Sequence, residues 1–315
     1  MMFPSFNARA LGLKLSADET LRLASEAGFR GVDVMVRDGI EEGVDFVGLR
    51  RKMDDLGLRG GAFPFPIDWR NSNDELFRRD LNALQRVAEA AATLGLTRTG
   101  TWVMPEAPKD FVRTLKDRRA CLHSRGPVER SDIQVRDESA SEDQALVYGF
   151  HFDRLREIAP VLAEFGIRLG LEVIGVESSR SGEGVPYVTS LASLRRSGLV
   201  TQLVGVLIDS WHLYAANEPI SHALAWGVEN IIWVHVADLP AGAMTDRSAM
   251  IDSVRGLPGE HGTVESEALL KLLDLRGYEG PITAEPLAGC RSLIGLSPDA
   301  VAHAAARSLR AIWPD

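Results

Sequence analysis

The chain has 315 residues, of which 45% are hydrophobic and 25% are charged, and its formal net charge is −9 at pH 7. This length suits a globular protein with a large core, and the acidic charge opposes binding to nucleic acid. The apolar runs are shorter than the roughly 18 residues needed to cross a bilayer, and the N-terminus lacks the basic-then-apolar order of a signal peptide. We therefore expect a cytoplasmic protein with no membrane partner. The cysteines lack CxxC spacing, which predicts reduced thiols.

Short apolar runs alternate with longer amphipathic segments along the whole chain. The short runs are typical of strands buried in a parallel sheet, and the longer segments have helical spacing. In SADETLRLASEAG, Ser16 precedes Glu19 by three residues as in a capping box, and Gly28 follows as a stop signal. The predicted strands, in chain order, are Phe3–Phe6, Gly31–Val36, Leu58–Phe63, Thr97–Val103, Ile167–Val173, Leu203–Asp209, Ile231–Val236 and Pro281–Pro286.

Predicted helices separate these strands. After the first helix, helical patterns occur in VDFVGLRRKMDDLG, NDELFRRDLNALQRVAEAAATLG, HFDRLREIAPVLAEFG, VTSLASLRRSG, PISHALAWG, SEALLKLLDLRG and DAVAHAAARSLRAIW. Eight strand–helix units in strict alternation favour a closed barrel with right-handed crossovers over an open sheet. We predict an α/β fold, a (β/α)8 TIM barrel, that forms a single domain over residues 1–315 because no linker interrupts the composition.

Two segments interrupt the alternation. Residues from about 105 to 144, after the fourth strand, are polar, carry both charge signs and show little periodicity. We interpret this insertion as a surface excursion, with a lid or an arm toward a neighbouring subunit as the alternative. The second interruption is Leu239–Glu260, after the seventh strand. We expect both segments over the face of the barrel where active sites lie.

Four side chains that bind metals well stand at the ends of the last four predicted strands: Glu172, Asp209, His235 and Glu285. A buried carboxylate or imidazole carries a cost that a partner must offset, and one such residue alone is usually a salt-bridged structural acid. Because strand ends converge in a barrel, four of them in succession favour one shared divalent cation. Three oxygen ligands and one nitrogen suit manganese first, with magnesium, cobalt or zinc as alternatives.

Other polar residues lie close to these strand ends in the sequence. His212 stands three residues beyond Asp209, and Asp238 stands three residues beyond His235. Side chains that hydrogen-bond to metal ligands orient them, so both residues are candidates for that role. Contact with the substrate is the alternative for each.

Three tryptophans also fall near strand ends or in the loops that follow them: Trp69, Trp102 and Trp211. An aromatic ring at the mouth of a barrel can stack on a sugar ring, and packing in the core is the alternative for each of the three. We assign Trp102, at the end of the fourth predicted strand, to substrate binding.

Five motifs in the second half of the chain carry a family resemblance: LGLEVIG, LIDSWHLY, VHVADLP, RGLPGEHGTVE and GYEGPITAEPL. They resemble the xylose isomerase-like TIM barrels, a family of sugar phosphate isomerases and epimerases that includes keto-inositol isomerases and ketose 3-epimerases. The resemblance extends over most of the chain. It implies that Glu172, Asp209, His235 and Glu285 bind one divalent metal ion, and that His212 and Arg255 contact the substrate.

The site and the resemblance together predict a divalent-metal-dependent isomerase or epimerase of a keto-sugar or keto-inositol. The metal would polarise the carbonyl and stabilise the enediolate that forms when the neighbouring proton leaves. Glu172 and Glu285 are the predicted acid and base residues, and the choice between them as base stays open. The alternative is a metal-dependent lyase or dehydratase acting on a keto-sugar or keto-glycoside, and a third hypothesis is a sugar-binding barrel without turnover.

The resemblance also sets the expected partners and disfavours two other barrel chemistries. We expect a small keto-sugar or cyclitol substrate and a homo-oligomer, a dimer or tetramer, with a small partner subunit if the protein is a lyase. Endonuclease IV-type nucleases need further histidines, and the matching stretches AFPFPIDW, TWVMPEAP and TDRS contain none. A Schiff-base aldolase needs a lysine at a strand end, and the lysines here lie in predicted helices or loops.

Overall fold

The strands form a closed parallel barrel. The computed structural model describes residues 1–121 in full, the backbone of residues 122 and 123, and residues 139–314. The strands in these ranges are β1 (Phe3–Phe6), β2 (Gly31–Val32), β3 (Arg59–Gly60), β4 (Phe63–Pro64), β5 (Arg98–Val103), β6 (Glu106–Ala107), β7 (Arg168–Val173), β8 (Val185–Pro186), β9 (Val204–Asp209), β10 (Ile231–Val236) and β11 (Pro281–Ala284). Nine of them form one sheet in the order β3-β2-β1-β11-β10-β9-β7-β5-β4, in which every pair is parallel.

The barrel closes through residues 59–64. At one end of the sheet order β3 pairs with β2, and at the other end β4 pairs with β5, yet only residues 61 and 62 separate β3 from β4. These two short strands are therefore halves of one strand of the barrel. We call each of the eight barrel strands a stave: β1, β2, β3 with β4, β5, β7, β9, β10 and β11 in the described residues. The predicted α/β fold, a (β/α)8 TIM barrel in a single domain, is confirmed.

Helices connect the staves and cover the outside of the barrel. They are α1 (Ala17–Ala27), α2 (Val36–Glu42), α3 (Phe46–Asp55), α4 (Asp74–Thr93), α5 (Lys109–His123), α6 (Glu142–Ala163), α7 (Leu191–Ser197), α8 (Ser210–Ala215), α9 (Ser221–Leu224), α10 (Ser266–Leu275) and α11 (Pro298–Ala311). The predicted capping box of Ser16 and Glu19 starts α1. Every residue of β9 and β10 is buried, as expected for staves covered on both faces. Among the described residues, no helix combines the length and apolarity that crossing a bilayer requires.

Two predicted strands are shorter in the structure. The second stave pairs only over Gly31–Val32, and Val36 begins α2, a helix that the sequence pattern does not indicate. The last stave ends at Ala284, so Glu285 follows the strand directly instead of lying within it. The other staves agree with their predicted bounds closely enough that the strand ends lie where the sequence places them.

The insertion at about 105–144 is more regular than its sequence indicates. It contains β6 and α5, and α6 begins within it at Glu142. Val112 and Leu115 of α5 are buried in the main hydrophobic core, and Phe111 packs against that core. The predicted lack of regular structure is therefore wrong for this part of the insertion. Residues 124–138 lie outside the described ranges, so the lid or arm stays a prediction.

A separate two-stranded sheet joins two loops on the face above the carboxyl ends of the staves. In it, β6 pairs antiparallel with β8. The carboxylate of Glu106 accepts hydrogen bonds from the backbone N–H groups of Gly182 at 2.9 Å and Gly184 at 2.8 Å, and from the hydroxyl of Ser181. These contacts tie the loop after β5 to the loop after β7.

Candidate metal centre

The four predicted ligands meet at the carboxyl ends of four adjacent staves. Glu172 and His235 are the penultimate residues of β7 and β10, Asp209 ends β9, and Glu285 follows β11. His235 is in register with Asp209 on one side and with Thr283 on the other. One oxygen or nitrogen atom of each of the four side chains lies within 4.8 Å of those of the other three. The strand ends therefore converge as the barrel requires.

Several polar atoms of this cluster are buried without a hydrogen bond. Within the described ranges, Oε1 of Glu172 and both ring nitrogens of His235 have no hydrogen-bond partner. Nδ1 of His235 lies 3.4 Å from Oε1 of Glu172 and 3.2 Å from Oε2 of Glu285. Buried polar atoms normally have partners, so these atoms are suited to bind a cation. Three carboxylates and one imidazole, with no thiolate, fit a divalent metal ion.

Arg255 lies against the same cluster and is only 2% exposed. Its Nη1 donates hydrogen bonds to Oδ2 of Asp209 and Oε2 of Glu285, both at 2.9 Å. Its Nη2 donates to Oδ1 of Asp252 at 2.6 Å. One guanidinium therefore contacts three carboxylates. Its positive charge offsets part of the repulsion between them, which is strong because the site is buried. The arginine that the resemblance assigns to the substrate is thus also in direct contact with two candidate ligands.

Burial and charge shift the pKa values of the cluster in different directions. Burial raises the pKa of Glu172, and it raises the pKa of Asp209 to about 7 although Arg255 opposes this. Burial also acts to raise the pKa of Glu285, but His235 and Arg255 outweigh it and lower the pKa to about 2. Burial lowers the pKa of His235, but the charges of Glu285 and Glu172 outweigh burial and hold it well above its ordinary value. The two glutamates therefore differ in proton affinity.

His212 is buried beside the cluster, between the backbone of Gly175 and the guanidinium of Arg255. Its Nδ1 accepts a hydrogen bond from the N–H of Gly175 at 3.2 Å. Its Nε2 lies 3.2 Å from Nη2 of Arg255, which can only donate a hydrogen bond. The distance of 3.7 Å from Nε2 to Oδ2 of Asp209 is too long for a hydrogen bond. Burial, together with Arg255, lowers the pKa of His212 well below its ordinary value. A neutral imidazole accepts at one nitrogen only, so the N–H of Gly175 and the guanidinium of Arg255 compete for its lone pair.

Asp238 has a different role from the predicted one. Its carboxylate accepts hydrogen bonds from the backbone N–H groups of His261 at 3.2 Å, Gly262 at 2.6 Å and Val264 at 3.0 Å. His235 has no hydrogen-bond partner among the described residues. The prediction that Asp238 supports His235 is therefore wrong, because Asp238 instead orders the loop that follows β10.

The three tryptophans differ in exposure. Trp69 and Trp211 are 0% and 1% exposed and belong to the core, whereas Trp102 is 43% exposed. Trp102 is in register with Glu172 on the adjacent stave, so their side chains lie on the same face of the sheet. The guanidinium of Arg70 lies 3.6 Å from the centroid of the Trp102 ring, as in a cation–π contact. Of the three, Trp102 is the tryptophan with exposed surface beside the candidate metal centre.

Two residues of this region were not predicted from the sequence. Asp252 holds Arg255 with its backbone carbonyl, which accepts from Nε at 2.9 Å, as well as with its carboxylate. The sequence feature that could have identified Asp252 is its position three residues before Arg255. Arg70, besides covering the Trp102 ring, donates from Nη1 to the Trp102 carbonyl at 3.2 Å. The sequence feature that could have identified Arg70 is its position next to Trp69, in the loop after the third stave.

These observations define the class of the protein as a parallel α/β barrel with a candidate metal centre at the carboxyl ends of its last four staves. The chain belongs to the family of xylose isomerase-like TIM barrels, whose model matches residues 21–312. The resemblance inferred from the sequence motifs is therefore confirmed. A comparison with curated protein sequences gave no match.

Solved structures of similar proteins cover nearly the whole chain. A xylose isomerase domain protein from Alicyclobacillus acidocaldarius subsp. acidocaldarius is 23% identical with a TM-score of 0.77, over 99% of this chain and 98% of that one. IolI protein with a bound zinc atom is 14% identical with a TM-score of 0.71, over 99% and 98%. The 3-keto-D-glucoside 4-epimerase YcjR from E. coli is 19% identical with a TM-score of 0.62, over 99% and 98%. At these identities the similarity establishes the shared fold.

Proposed function

We propose that this protein is a divalent-metal-dependent isomerase or epimerase of a keto-sugar or keto-cyclitol. The main support is the cluster of Glu172, Asp209, His235 and Glu285, whose buried oxygen and nitrogen atoms converge at the mouth of a barrel of the xylose isomerase-like family. When bound there, a divalent cation supplies polarisation of a carbonyl and stabilises the negative charge that develops as a neighbouring C–H proton leaves. The donor set makes manganese our first choice of metal.

Glu172 is the residue that we propose as the base. Its Oε1 accepts no hydrogen bond from the described residues, and burial raises its pKa, so it retains affinity for a proton. Oε2 of Glu285 accepts a hydrogen bond from Arg255, and the pKa of Glu285 is lowered to about 2, which makes it the weaker base. Glu172 then removes the proton and returns it, whereas Glu285, which is ionised near neutral pH, would have to take up a proton before it could deliver one from its own side of the cluster.

The neighbouring residues are proposed to bind and orient the substrate. His212 is proposed to hydrogen-bond a substrate oxygen through Nε2, the nitrogen on the side of Arg255, and its lowered pKa makes it a weak base. Arg255 holds the carboxylates of Asp209 and Glu285 in place. Trp102 offers its exposed ring to the face of the sugar.

The fate of the abstracted proton decides the product. Return of the proton to the adjacent carbon yields an isomer, whereas return to the same carbon from the opposite face yields an epimer. The similar structures support chemistry of this kind, since one is a 3-keto-D-glucoside 4-epimerase and another holds a bound zinc atom. Loss of a leaving group from the next carbon after the same proton abstraction is the lyase alternative.

The proposal is tested by proton exchange in deuterated water. Manganese-loaded protein is incubated with a panel of keto-sugars and keto-inositols, and NMR follows deuterium incorporation and new sugar signals. We expect deuterium next to a carbonyl in at least one substrate, with an isomer or epimer as product. Glu172→Gln should lower the exchange rate by about 10²- to 10⁴-fold, the usual contribution of general acid–base catalysis. Glu89→Gln, at an exposed position of α4, is the matched control and should exchange as the wild type does.

Three outcomes would contradict the proposal in different ways. Release of water or an aglycone, without isomer or epimer, would establish the lyase. Binding of a sugar without exchange at any carbon would indicate a binding protein. Exchange that persists at full rate after chelation of the metal would show that the reaction does not depend on a metal ion.

A further inference from the structure

His235 lacks the hydrogen bond that normally orients a metal-binding histidine. Such a histidine usually donates its second N–H to a carboxylate or a carbonyl, which fixes the ring. Within the described ranges, neither ring nitrogen of His235 makes a hydrogen bond, although Nδ1 lies 3.4 Å from Oε1 of Glu172 and 3.2 Å from Oε2 of Glu285. Asp238 is bonded elsewhere. The ring instead contacts Trp233, with the centroids 4.4 Å apart and an interplanar angle of 79°. This edge-to-face arrangement is one that aromatic pairs favour.

Trp233 in turn donates the first of two linked hydrogen bonds, which run from Trp233 through Thr283 to Asp33. It lies two residues before His235 on β10, so the two side chains are on the same face of the strand. Its Nε1 donates to Oγ1 of Thr283 at 2.9 Å, and that hydroxyl donates to Oδ2 of Asp33 at 2.7 Å. An indole nitrogen can only donate, so the Thr283 hydroxyl must accept from it and give its own proton to Asp33.

Asp33 is the fixed end of this chain of contacts. Its Oδ1 also accepts hydrogen bonds from the hydroxyl of Ser5 at 2.6 Å and from the N–H of Ala62 at 2.9 Å. With Asp33 2% exposed and Thr283 0% exposed, the chain is shielded from water. A buried polar network with every member satisfied is rigid, and removal of one member leaves the others unpaired.

Two glycines make room for these side chains. A Cβ at residue 61 would lie 2.1 Å from Oδ1 of Asp33 and 2.2 Å from Oγ of Ser5. A Cβ at residue 100 would lie 2.6 Å from the side chain of Leu207 and 3.0 Å from the ring of Trp233. Gly61 and Gly100 therefore accommodate the two ends of the chain of contacts, and larger side chains would displace it.

We propose that Asp33, Thr283 and Trp233 are positioning residues that set the orientation of the His235 imidazole for metal binding. They stand in for the carboxylate or carbonyl that would otherwise accept from Nε2 of His235, which has no hydrogen bond among the described residues. The inference rests on the metal centre of the proposed function and adds residues from the second, seventh and eighth staves beside His235. None of the three is expected to touch the metal or the substrate.

The test compares Thr283→Val with Thr283→Ser and Thr99→Val. Valine keeps the shape of threonine without its hydroxyl, whereas serine keeps the hydroxyl. Thr99 is also 0% exposed in the barrel, and its hydroxyl donates to the carbonyl of Phe63 at 2.8 Å, away from His235. Each metal-free protein is titrated with Co²⁺ alone, and the visible absorption bands report both the affinity and the geometry of the bound ion.

We expect Thr283→Val to bind Co²⁺ about 10- to 100-fold more weakly than the wild type, with altered bands, as for other outer partners of metal-binding histidines. Thr283→Ser and Thr99→Val should match the wild type. Equal affinity and identical bands in Thr283→Val would overturn the inference, as would an equal loss in Thr99→Val. If the wild type binds no Co²⁺, the metal centre itself fails. If Thr283→Val does not fold, Trp233→Phe, which keeps a ring but loses the N–H anchor, is held to the same criteria.

Discussion

Nη1 of Arg255 donates a 2.9 Å hydrogen bond to Oδ2 of Asp209, and the side chains of both residues are almost wholly buried. The same guanidinium reaches Glu285 at 2.9 Å. A buried ion pair of this kind contributes little net stability compared with apolar packing, but removal of one member leaves an uncompensated charge. Arg255 therefore lowers the free-energy cost of burying several carboxylates together in the folded barrel.

Replacement of this arginine should make folding depend on the metal. We expect Arg255→Met to lower the free energy of unfolding by about 3–5 kcal/mol in the presence of EDTA, because Asp209 and Glu285 lose their cationic partner. Manganese should restore part of this loss. Urea unfolding with EDTA and with Mn²⁺ measures both effects. Arg22→Met, which removes exposed ion pairs with Glu26 and Asp299, should cost less than about 1 kcal/mol. If Arg255→Met also lowered the free energy of unfolding by less than about 1 kcal/mol, this would contradict the argument.

Metal affinity should rise with pH through neutrality. Burial raises the pKa of Asp209 to about 7, so below that pH the site holds a proton that a metal ion must displace. The proton of Asp209 alone lowers the apparent affinity about tenfold for each pH unit below the pKa, and the raised pKa of His235 adds to this fall because that ligand must also lose a proton. Titrations with Mn²⁺ at pH 5.5, 6.5, 7.5 and 8.5 measure this dependence. Equal affinity at pH 5.5 and pH 7.5 would show that the site binds without losing a proton in this range.

His151 should make the fold sensitive to acid. It is 0% exposed, its Nδ1 lies 2.8 Å from the Tyr187 hydroxyl, and burial lowers its pKa to about 3. A histidine with a lowered folded pKa binds fewer protons in the folded than in the unfolded state. Its effect on stability is therefore absent above its unfolded pKa of about 6.5, and stability falls by up to about 1.4 kcal/mol per pH unit as the pH drops from there toward 3.

Substitution of His151 separates this effect from general acid unfolding. His151→Phe removes the titrating group, so the change in unfolding free energy between pH 7 and pH 5 should be smaller than in the wild type, even if the variant is less stable at both. Urea unfolding at the two pH values measures it. His303→Gln, at an exposed position of α11, is the control and should keep the wild-type dependence. An unchanged dependence in His151→Phe would contradict the argument.

Trp102 should affect substrate binding without affecting the metal. Its ring is 43% exposed on the stave next to Glu172, and it contacts no candidate ligand by a hydrogen bond. We expect Trp102→Ala to raise KM about 2- to 10-fold, which corresponds to the loss of about 0.5–1.5 kcal/mol of stacking. Steady-state kinetics and a Co²⁺ titration measure the two effects. Leu275→Ala, at a residue 80% exposed, is the control. A loss of Co²⁺ affinity in Trp102→Ala would assign the ring to the metal centre instead.

The barrel and the position of its site could be predicted from the sequence because both follow from the order of elements. Alternating apolar and amphipathic runs define eight staves, and parallel staves bring their carboxyl ends to one face. Glu172, Asp209, His235 and Glu285 therefore converge although more than 100 residues separate the first from the last. No knowledge of the loops was needed for that conclusion.

The contacts that depend on loop conformation could not be predicted. Asp238 stands at the expected distance from His235 in the sequence, but its carboxylate bonds to the backbone of residues 261–264, whose conformation no residue pattern reveals. The link from Asp33 to Trp233 through Thr283 joins three staves, and each residue alone resembles an ordinary core or edge residue. In α5, the apolar residues Phe111, Val112 and Leu115 carried a helical signal that the surrounding charges obscured.

The pairing of β6 with β8 has a consequence for transplanting loops between proteins of this family. Glu106 and its bonds to Gly182 and Gly184 belong to the barrel side of the junction, because they fix the segment that leads away from Glu172. An exchange of the insertion with that of another protein should therefore begin after Ala107 and end before Ser141, the residue that caps α6. A graft cut inside those limits leaves the rim above Glu172 in place, whereas one that removes Glu106 releases two loops at once.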